Sequence, residues 1–253
     1  MTNTLPRMIS VEGVTNFRDQ GGYDAGGGKL AFDIIYRSGH FADITPNGQQ
    51  QVQTLGLDVV IDLRDDFERQ GFPSPKLDAD VLHRGGDFIH AAIAKEAPPV
   101  TQAEVRDRKF AHYRLYPSRL HRGVAALFEG VASGHKVHVH CTAGKDRTGF
   151  VCATLLKALG VAEGDIRNDY MISQRETETM DPARSEAINK FYGFDQSKSD
   201  MVDLRRRIFP DLISEALAEV DRAYGSVEDY LLGPCGLSEQ SLRNVHEQAI
   251  GEA

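Results

Sequence analysis

An α/β fold with a helical C-terminal third is predicted by three features of this 253-residue sequence. Lys136 to His140 alternates polar and β-branched residues, and Thr148 to Leu159 is nearly all apolar and free of proline, as a buried helix following a strand would be. Upstream, Thr45-Pro46 opens a helix that ends near Leu55-Gly56, and Leu57 to Leu63 then reads as a buried strand. Beyond Gly160 the pattern is helical, over Asp165–Arg175, Asp211–Tyr224 and Ser238–Gln248.

The remaining elements follow from local chemistry. Thr15 to Ser38, with Gly21-Gly22 and Gly26-Gly27-Gly28, reads as short strands joined by turns. Asp62, Arg64 and Asp65 close one strand and open the next helix, with Asp65 placed to cap residues 66–70 or to orient a neighbouring loop. Asp80 to Arg84 is strand-like, whereas Phe88 to Pro117 carries no strand signal and is broken by Pro98-Pro99. Within that stretch Thr101-x-x-Glu104 is a capping box that starts a helix bearing Arg106, Arg108, Lys109 and Arg114. A second helix, Ser118 to Ser133, leads into the strand at 136–140. The whole is read as a single domain over 1–253, with 88–117 as an insertion.

Chemistry concentrates at residues 137–150, VHVHCTAGKDRTGF. The loop sits at a helix N-terminus, where unpaired backbone N–H groups and the helix dipole attract anions, and Gly144 lets successive N–H groups of Thr142 to Lys145 converge on one point. A phosphate fits that point. Cys141 would face those donors and Arg147, all of which favour a thiolate and so a pKa below the free value of about 8.5. Such a thiolate attacks phosphorus to give a phosphocysteine that water cleaves. Arg147 would hold two non-bridging oxygens through its planar fork, Thr148 would hydrogen-bond the departing thiolate, and His140 would position Cys141 from behind. A nucleotide-binding glycine loop is excluded because Asp146 follows Lys145 and Val139 stands where the first glycine belongs. No second cysteine lies two residues from the first, which argues against a dithiol redox site; Cys152 falls on the helix and Cys235 in a turn. Two further readings stay open: a phosphate-binding module without catalysis, and a thiol-based sulfurtransferase or arsenate reductase.

The segment from His140 to Gly149 resembles the HCxxGKDRTG loop of the bacterial tyrosine phosphatases that also take phosphoinositides, the family of mycobacterial protein tyrosine phosphatase B. The segments NFRDQGGY at 16–23, YRSG at 36–39 and VIDLRD at 60–65 look like that family's N-terminal signatures, in order, and SVEDYLL at 226–232 resembles its C-terminal helix. The resemblance implies a protein-tyrosine-phosphatase-like fold with a central, mostly parallel sheet flanked by helices. It also implies Cys141 as nucleophile, Arg147 as phosphate clamp, and Thr142, Ala143, Gly144, Lys145 and Thr148 around the substrate phosphate. The general acid is Asp146, inside the loop as in that family, or Asp87, upstream where dual-specificity enzymes often carry theirs. Lys145 is expected to touch a second phosphate or an acidic group of the substrate. Residues 88–117 are either a solvated basic face or a lid, since the family has a two-helix cover.

Composition bounds the partners. With 37 acidic against 29 basic residues and a net charge of −8, neither nucleic acid nor a basic membrane-binding surface is indicated. No apolar run reaches the length of a membrane span, and Met1 to Arg7 lacks the apolar core of a secretory signal. Three cysteines, one wanted as a thiolate, suit a reducing cytoplasm, with export lacking a cleaved signal left open. His138 and His140 share a strand face without a third ligand at metal spacing, so no metal and no cofactor are expected. The Arg205 to Arg207 cluster reads as a surface patch, and the chain is expected to act as a monomer on a phosphorylated protein or phosphoinositide.

Overall fold

The computed structural model describes residues 7–85, 101–178, 182–193 and 207–251. Its centre is a five-stranded sheet in the order β1-β4-β7-β5-β6, formed by β1 (Arg18–Asp19), β4 (Ile35–Ser38), β7 (Val137–His140), β5 (Val59–Asp62) and β6 (Asp80–His83). All pairs are parallel except β1 with β4. Helices cover it, as parallel strands joined by helical crossovers require. The expected α/β architecture with a mostly parallel sheet is therefore the one observed.

Period-2 alternation sends the strand residues to two separate cores. Ile35, Val59, Ile61, Val137 and Val139 join the larger cluster with α4 (Tyr116–Ala132) and α5 (Asp146–Ala158). Tyr36 and Val60 join the smaller one with Phe17, Phe41 and Val52 of α1 (Pro46–Thr54). Because strands buried on both faces carry no polar face, they read as continuous apolar runs. Among the polar exceptions, His138 and His140 lie on the side of the smaller core. There His138 stacks on Phe17 at 5.2 Å, and its Nε2 lies 2.8 Å from Ser38 Oγ.

α5 is enclosed on nearly every side: Arg147 to Leu156 are all buried. It is held by α4, by α6 (Glu163–Glu178) and by α8 (Pro210–Tyr224), which pack against it. Two glycines permit the close approach. A Cβ at Gly123 of α4 would stand 2.5 Å from Leu63 Cδ2, and one at Gly149 of α5 would stand 2.9 Å from Tyr170 Cδ2. A basic, exposed-looking helix, α3 (Gln102–Arg114), begins at the expected Thr101–Glu104 capping box and packs on α8. Beyond α7 (Pro182–Phe191) and α8, the helices α9 (Val227–Leu232) and α10 (Glu239–Ala249) complete the C-terminal third.

The small strands β2 (Asp24–Ala25) and β3 (Gly28–Leu30) form the glycine-turned hairpin expected upstream, and β8 (Ile250–Gly251) adds to β3 with Leu30 opposite Ile250. The hairpin is also tied to the end of α5, where Gly26 N donates to Leu159 O at 2.8 Å.

Phe150 of α5 has no exposed surface and lies 5.9 Å from the Tyr116 ring, so its truncation leaves a cavity that surrounding helices cannot collapse into. Phe150→Ala is expected to lose about 3–5 kcal/mol of unfolding free energy, read from the denaturant midpoint at constant slope.

Candidate active site

The strand β7 ends at His140, and the chain then turns through Cys141 to Lys145 before α5 starts at Asp146. The turn depends on Gly144, at φ 66°, where a Cβ would stand 2.2 Å from Ser38 O. The loop is thus pressed against the end of β4, where His40 N donates to Thr142 O at 3.1 Å. Cys141, Thr142, Lys145, Arg147 and Thr148 are all buried. The structure therefore brings the predicted site residues of the loop together at one helix N-terminus, the place that chemistry on an anion requires.

Arg147 is held by Glu68, a residue that no motif of the sequence singles out as part of the site. Its Nη1 donates to Glu68 Oε2 and its Nη2 to Glu68 Oε1, both at 2.6 Å, and Nη1 also donates to Leu63 O at 3.0 Å. Glu68 lies in α2 (Asp66–Gly71), where Asp65 and Glu68 form a full capping box. Its carboxylate further accepts hydrogen bonds from Thr142 Oγ1 and from the Tyr192 hydroxyl, the latter at 2.5 Å, and Tyr192 lies 3.0 Å from Thr142 Oγ1. Burial alone would raise the Glu68 pKa, but Arg147 and these donors outweigh it and bring it down to about 2. Burial likewise disfavours the Arg147 cation, yet Glu68 beside it raises its pKa on balance. The spacing Asp65-x-x-Glu68 was a legible capping signal; the partner 79 residues away was not.

The back of the loop is braced by the N-terminal segments. Asn16, in the left-handed region at φ 59°, donates from Nδ2 to Gly144 O at 2.8 Å, and Arg37 Nη2 donates to the same oxygen at 3.0 Å. Arg37 and Arg18 both meet Asp169 of α6, at 2.7 and 3.1 Å, and Gln20 and Tyr23 also donate to that carboxylate. Burial pushes the Asp169 pKa up, but the two guanidinium groups win and hold it at about 2. Asp169 carried no signal in the sequence, because a lone aspartate in a helix resembles any surface charge.

Asp62 and Arg64 pair at 2.8 Å, and Arg64 also ties down Phe72 O and Ser74. Asp62 Oδ1 is 3.8 Å from His140 Nδ1, which itself lies 3.2 Å from Cys141 O, so both residues do stand behind the loop. Asp65 caps α2, accepting from Glu68 N at 2.8 Å.

Asp146 occupies the first turn of α5. Lys145 Nζ is 3.0 Å from its Oδ1 and 2.9 Å from its Oδ2, and Tyr113 of α3 donates to Oδ1. Burial favours the neutral acid, but Lys145, Lys109 and Tyr113 lower its pKa on balance. The Thr148 hydroxyl is buried and has no hydrogen-bond partner among the described residues, leaving it available to a group within the loop. Asp87 and residues 88–100 of the expected insertion lie outside the described residues, as do Arg205 and Arg206. The described remainder, α3 and the start of α4, buries Val105, Tyr113, Tyr116 and Pro117. Cys152 and Cys235 are buried free thiols, and burial pushes their pKa up to about 11 and about 12. No grouping of three metal-ligating side chains occurs among the described residues, and no helix among them is long and apolar enough to cross a membrane.

With this geometry in place, the chain can be set beside known proteins. The model of a tyrosine phosphatase family matches residues 9–250. A protein of Cupriavidus necator assigned as a tyrosine-protein phosphatase is 30% identical over 241 residues, covering 89% of this chain and 86% of its own. The triple specificity protein phosphatase PtpB of Mycobacterium tuberculosis is 26% identical over 256 residues, covering 86% of this chain and 91% of its own. The crystal structure of TpbA from P. aeruginosa aligns with 87% of this chain and 98% of that one, at 16% identity and a TM-score of 0.32, a superposition too loose to support any argument.

The buried carboxylates make stability depend on acid. Glu68 and Asp169 titrate near 2 in the folded chain and near about 4 when unfolded, so their contribution is complete above about pH 4 and is lost as pH falls through 2. Asp169→Asn is expected to cost about 3–5 kcal/mol at pH 7, because it leaves two buried guanidinium groups uncompensated, and to flatten the loss between pH 4 and pH 2. Urea unfolding of both proteins at pH 7, 4 and 2.5 checks the sign and the size.

Proposed function

The chain belongs to the tyrosine phosphatase family, and from that premise we propose that it hydrolyses phosphate monoesters through a phosphocysteine on Cys141. Phosphotyrosine in proteins is the first substrate, with phosphoserine, phosphothreonine and phosphoinositides as further ones. The observation that carries this reading is the placing of Cys141 at the N-terminus of α5 within a loop whose Arg147 is held end-on by Glu68. Glu68 takes the end of the guanidinium formed by its two terminal nitrogens, and the Nε–Nη2 edge, whose Nη2 also reaches Thr142 Oγ1 at a long 3.4 Å, is the one to meet two oxygens of a phosphate.

In the first step the Cys141 thiolate attacks phosphorus in line with the ester oxygen, the P–O bond breaks and Asp146 gives its proton to the leaving alkoxide. The backbone N–H groups of Thr142 to Lys145 and Arg147 balance the charge on the three equatorial oxygens, which is where catalysis of phosphoryl transfer resides. In the second step Asp146 takes a proton from water, water attacks phosphorus and the P–S bond breaks, with the Thr148 hydroxyl donating to the returning thiolate. Lys145 and Lys109 lower the Asp146 pKa. A phosphate dianion in the loop neutralises part of their field and raises it again, so that Asp146 is protonated in the complex. Lys145, buried beside the loop, is suited to an acidic group flanking the scissile phosphate. The segment 88–117, of which residues 101–117 are described, is taken as a cover of the site, and phosphate or vanadate is expected to protect it from hydrogen exchange.

Cys141→Ser is expected to abolish vanadate-sensitive turnover of a phosphotyrosine peptide while inorganic phosphate still binds. Full activity of that variant would overturn the reading, as would a requirement for a sulfur donor or partner thiol. Asp146→Asn is expected to slow esters with poor leaving groups by about 10²-fold or more and to spare an activated aryl phosphate. Rates on a graded series of aryl esters measure this directly.

A further inference from the structure

Two tyrosines that the mechanism above leaves unused converge on Asp146 from different helices. Tyr113, in the last turn of α3, and Tyr170, in α6, are 2% and 1% exposed. Their hydroxyls hydrogen-bond each other, and the Tyr113 hydroxyl also bonds Asp146 Oδ1. The direction of this chain is settled by counting protons. The ionised Asp146 carboxylate has none to give, so Tyr113 spends its single hydroxyl proton on Oδ1, and Tyr170 must donate to Tyr113.

The arrangement is costly and is built with care. A buried phenol hydroxyl needs a partner, and phenylalanine would fill either space without that need. The Tyr113 ring lies on Tyr116 at 4.5 Å and meets Tyr170 edge-on at 6.4 Å and 79°. Room for Tyr170 exists only because residue 149 is glycine, three positions after Asp146 on the same helix: a Cβ there would stand 2.9 and 3.0 Å from two ring carbons. The groups facing Asp146 are Lys145 from its own loop, Lys109 and Tyr113 from α3, Tyr116 from α4 and Tyr170 from α6.

We propose that Tyr113, oriented by Tyr170, is a positioning residue for proton transfer, fixing Asp146 by Oδ1 so that Oδ2 carries the proton to the leaving oxygen. This rests on Asp146 as the general acid. With Oδ1 held by a phenol, the neutral acid keeps its proton on the other oxygen, the one that Lys145 Nζ approaches at 2.9 Å. The role of α3 is then to set the acid as well as to line the mouth of the site, which couples the basic helix to the chemistry.

The test compares Tyr113→Phe, Tyr170→Phe and Asp146→Asn, alone and combined, on aryl phosphates of graded leaving-group quality across pH. Removal of the phenol that donates to the anion is expected to raise the Asp146 pKa and to move the alkaline descent of kcat/KM upward by about half a unit to one unit. It is also expected to lower kcat about 3- to 10-fold on poor leaving groups, leave activated esters and KM unchanged, and add nothing in the Asp146→Asn background. Tyr170→Phe, which leaves the Tyr113–Asp146 bond in place, is expected to act in the same direction by a smaller factor, and it carries the test if Tyr113→Phe does not fold. An equal loss on every ester, or a loss that persists with Asp146→Asn, overturns the proposal and makes the tyrosines structural. If Asp146→Asn itself shows no leaving-group dependence, the assignment of the acid fails. If it does and the tyrosine variants do not, only the positioning role fails.

Discussion

The buried ion pair between Glu68 and Arg147 is the contact on which the loop depends. Such a pair contributes little net stability, since desolvating two charges costs about what their attraction returns. Its value here is geometric. Two parallel hydrogen bonds fix the plane of the guanidinium, and Glu68 is itself fixed by the capping box, by Thr142 and by Tyr192. Elements from three distant parts of the chain therefore meet at one carboxylate: α2, the loop after β7, and the residue following α7. For the proposed reaction, a phosphate in the loop would meet a donor set already aimed, so little reorganisation would accompany the charge shift.

A second brace acts from the opposite side. Asn16 and Arg37 both donate to Gly144 O, and Asp169 holds Arg37 and Arg18 from α6. A loop of converging N–H groups necessarily turns some carbonyls outward, and a carbonyl buried without a donor would cost what a lost hydrogen bond costs. The N-terminal segments satisfy that carbonyl. This explains why the motifs at 16–23 and 36–39 belong with a loop more than a hundred residues downstream: they are the back wall of the same anion site. The positive φ of Gly144 and its contact with Ser38 are two expressions of that constraint.

The proposed proton transfer draws on a different set of contacts. Asp146 lies at the helix start between Lys145, which favours its anion, and the hydroxyl of Tyr113, which orients it. In the proposed mechanism the loop thus separates its tasks in space, with charge balance assigned to the backbone and Arg147 and the proton to the adjoining turn of α5. Burial of α5 on nearly every side keeps both sets in register.

Much of this was legible in the order of residues. The strand, the glycine loop and the apolar helix around Cys141 have periodicities and a helix-start chemistry that act over a few residues, and they appear as 137–140, 141–145 and 146–158. The capping boxes at Asp65 and Thr101 are local in the same sense. The sequence by itself determined the element types, the α/β class and the candidate residues on the loop. Only the tertiary structure decided which groups hold the loop and its braces: Glu68 for Arg147, Asp169 for Arg37, Tyr113 for Asp146. Those partners lie 79, 132 and 33 residues apart along the chain. A carboxylate or phenol looks the same in a sequence whether it faces water or a buried cation, because the difference is made by helix packing that brings remote segments together and removes water from between them.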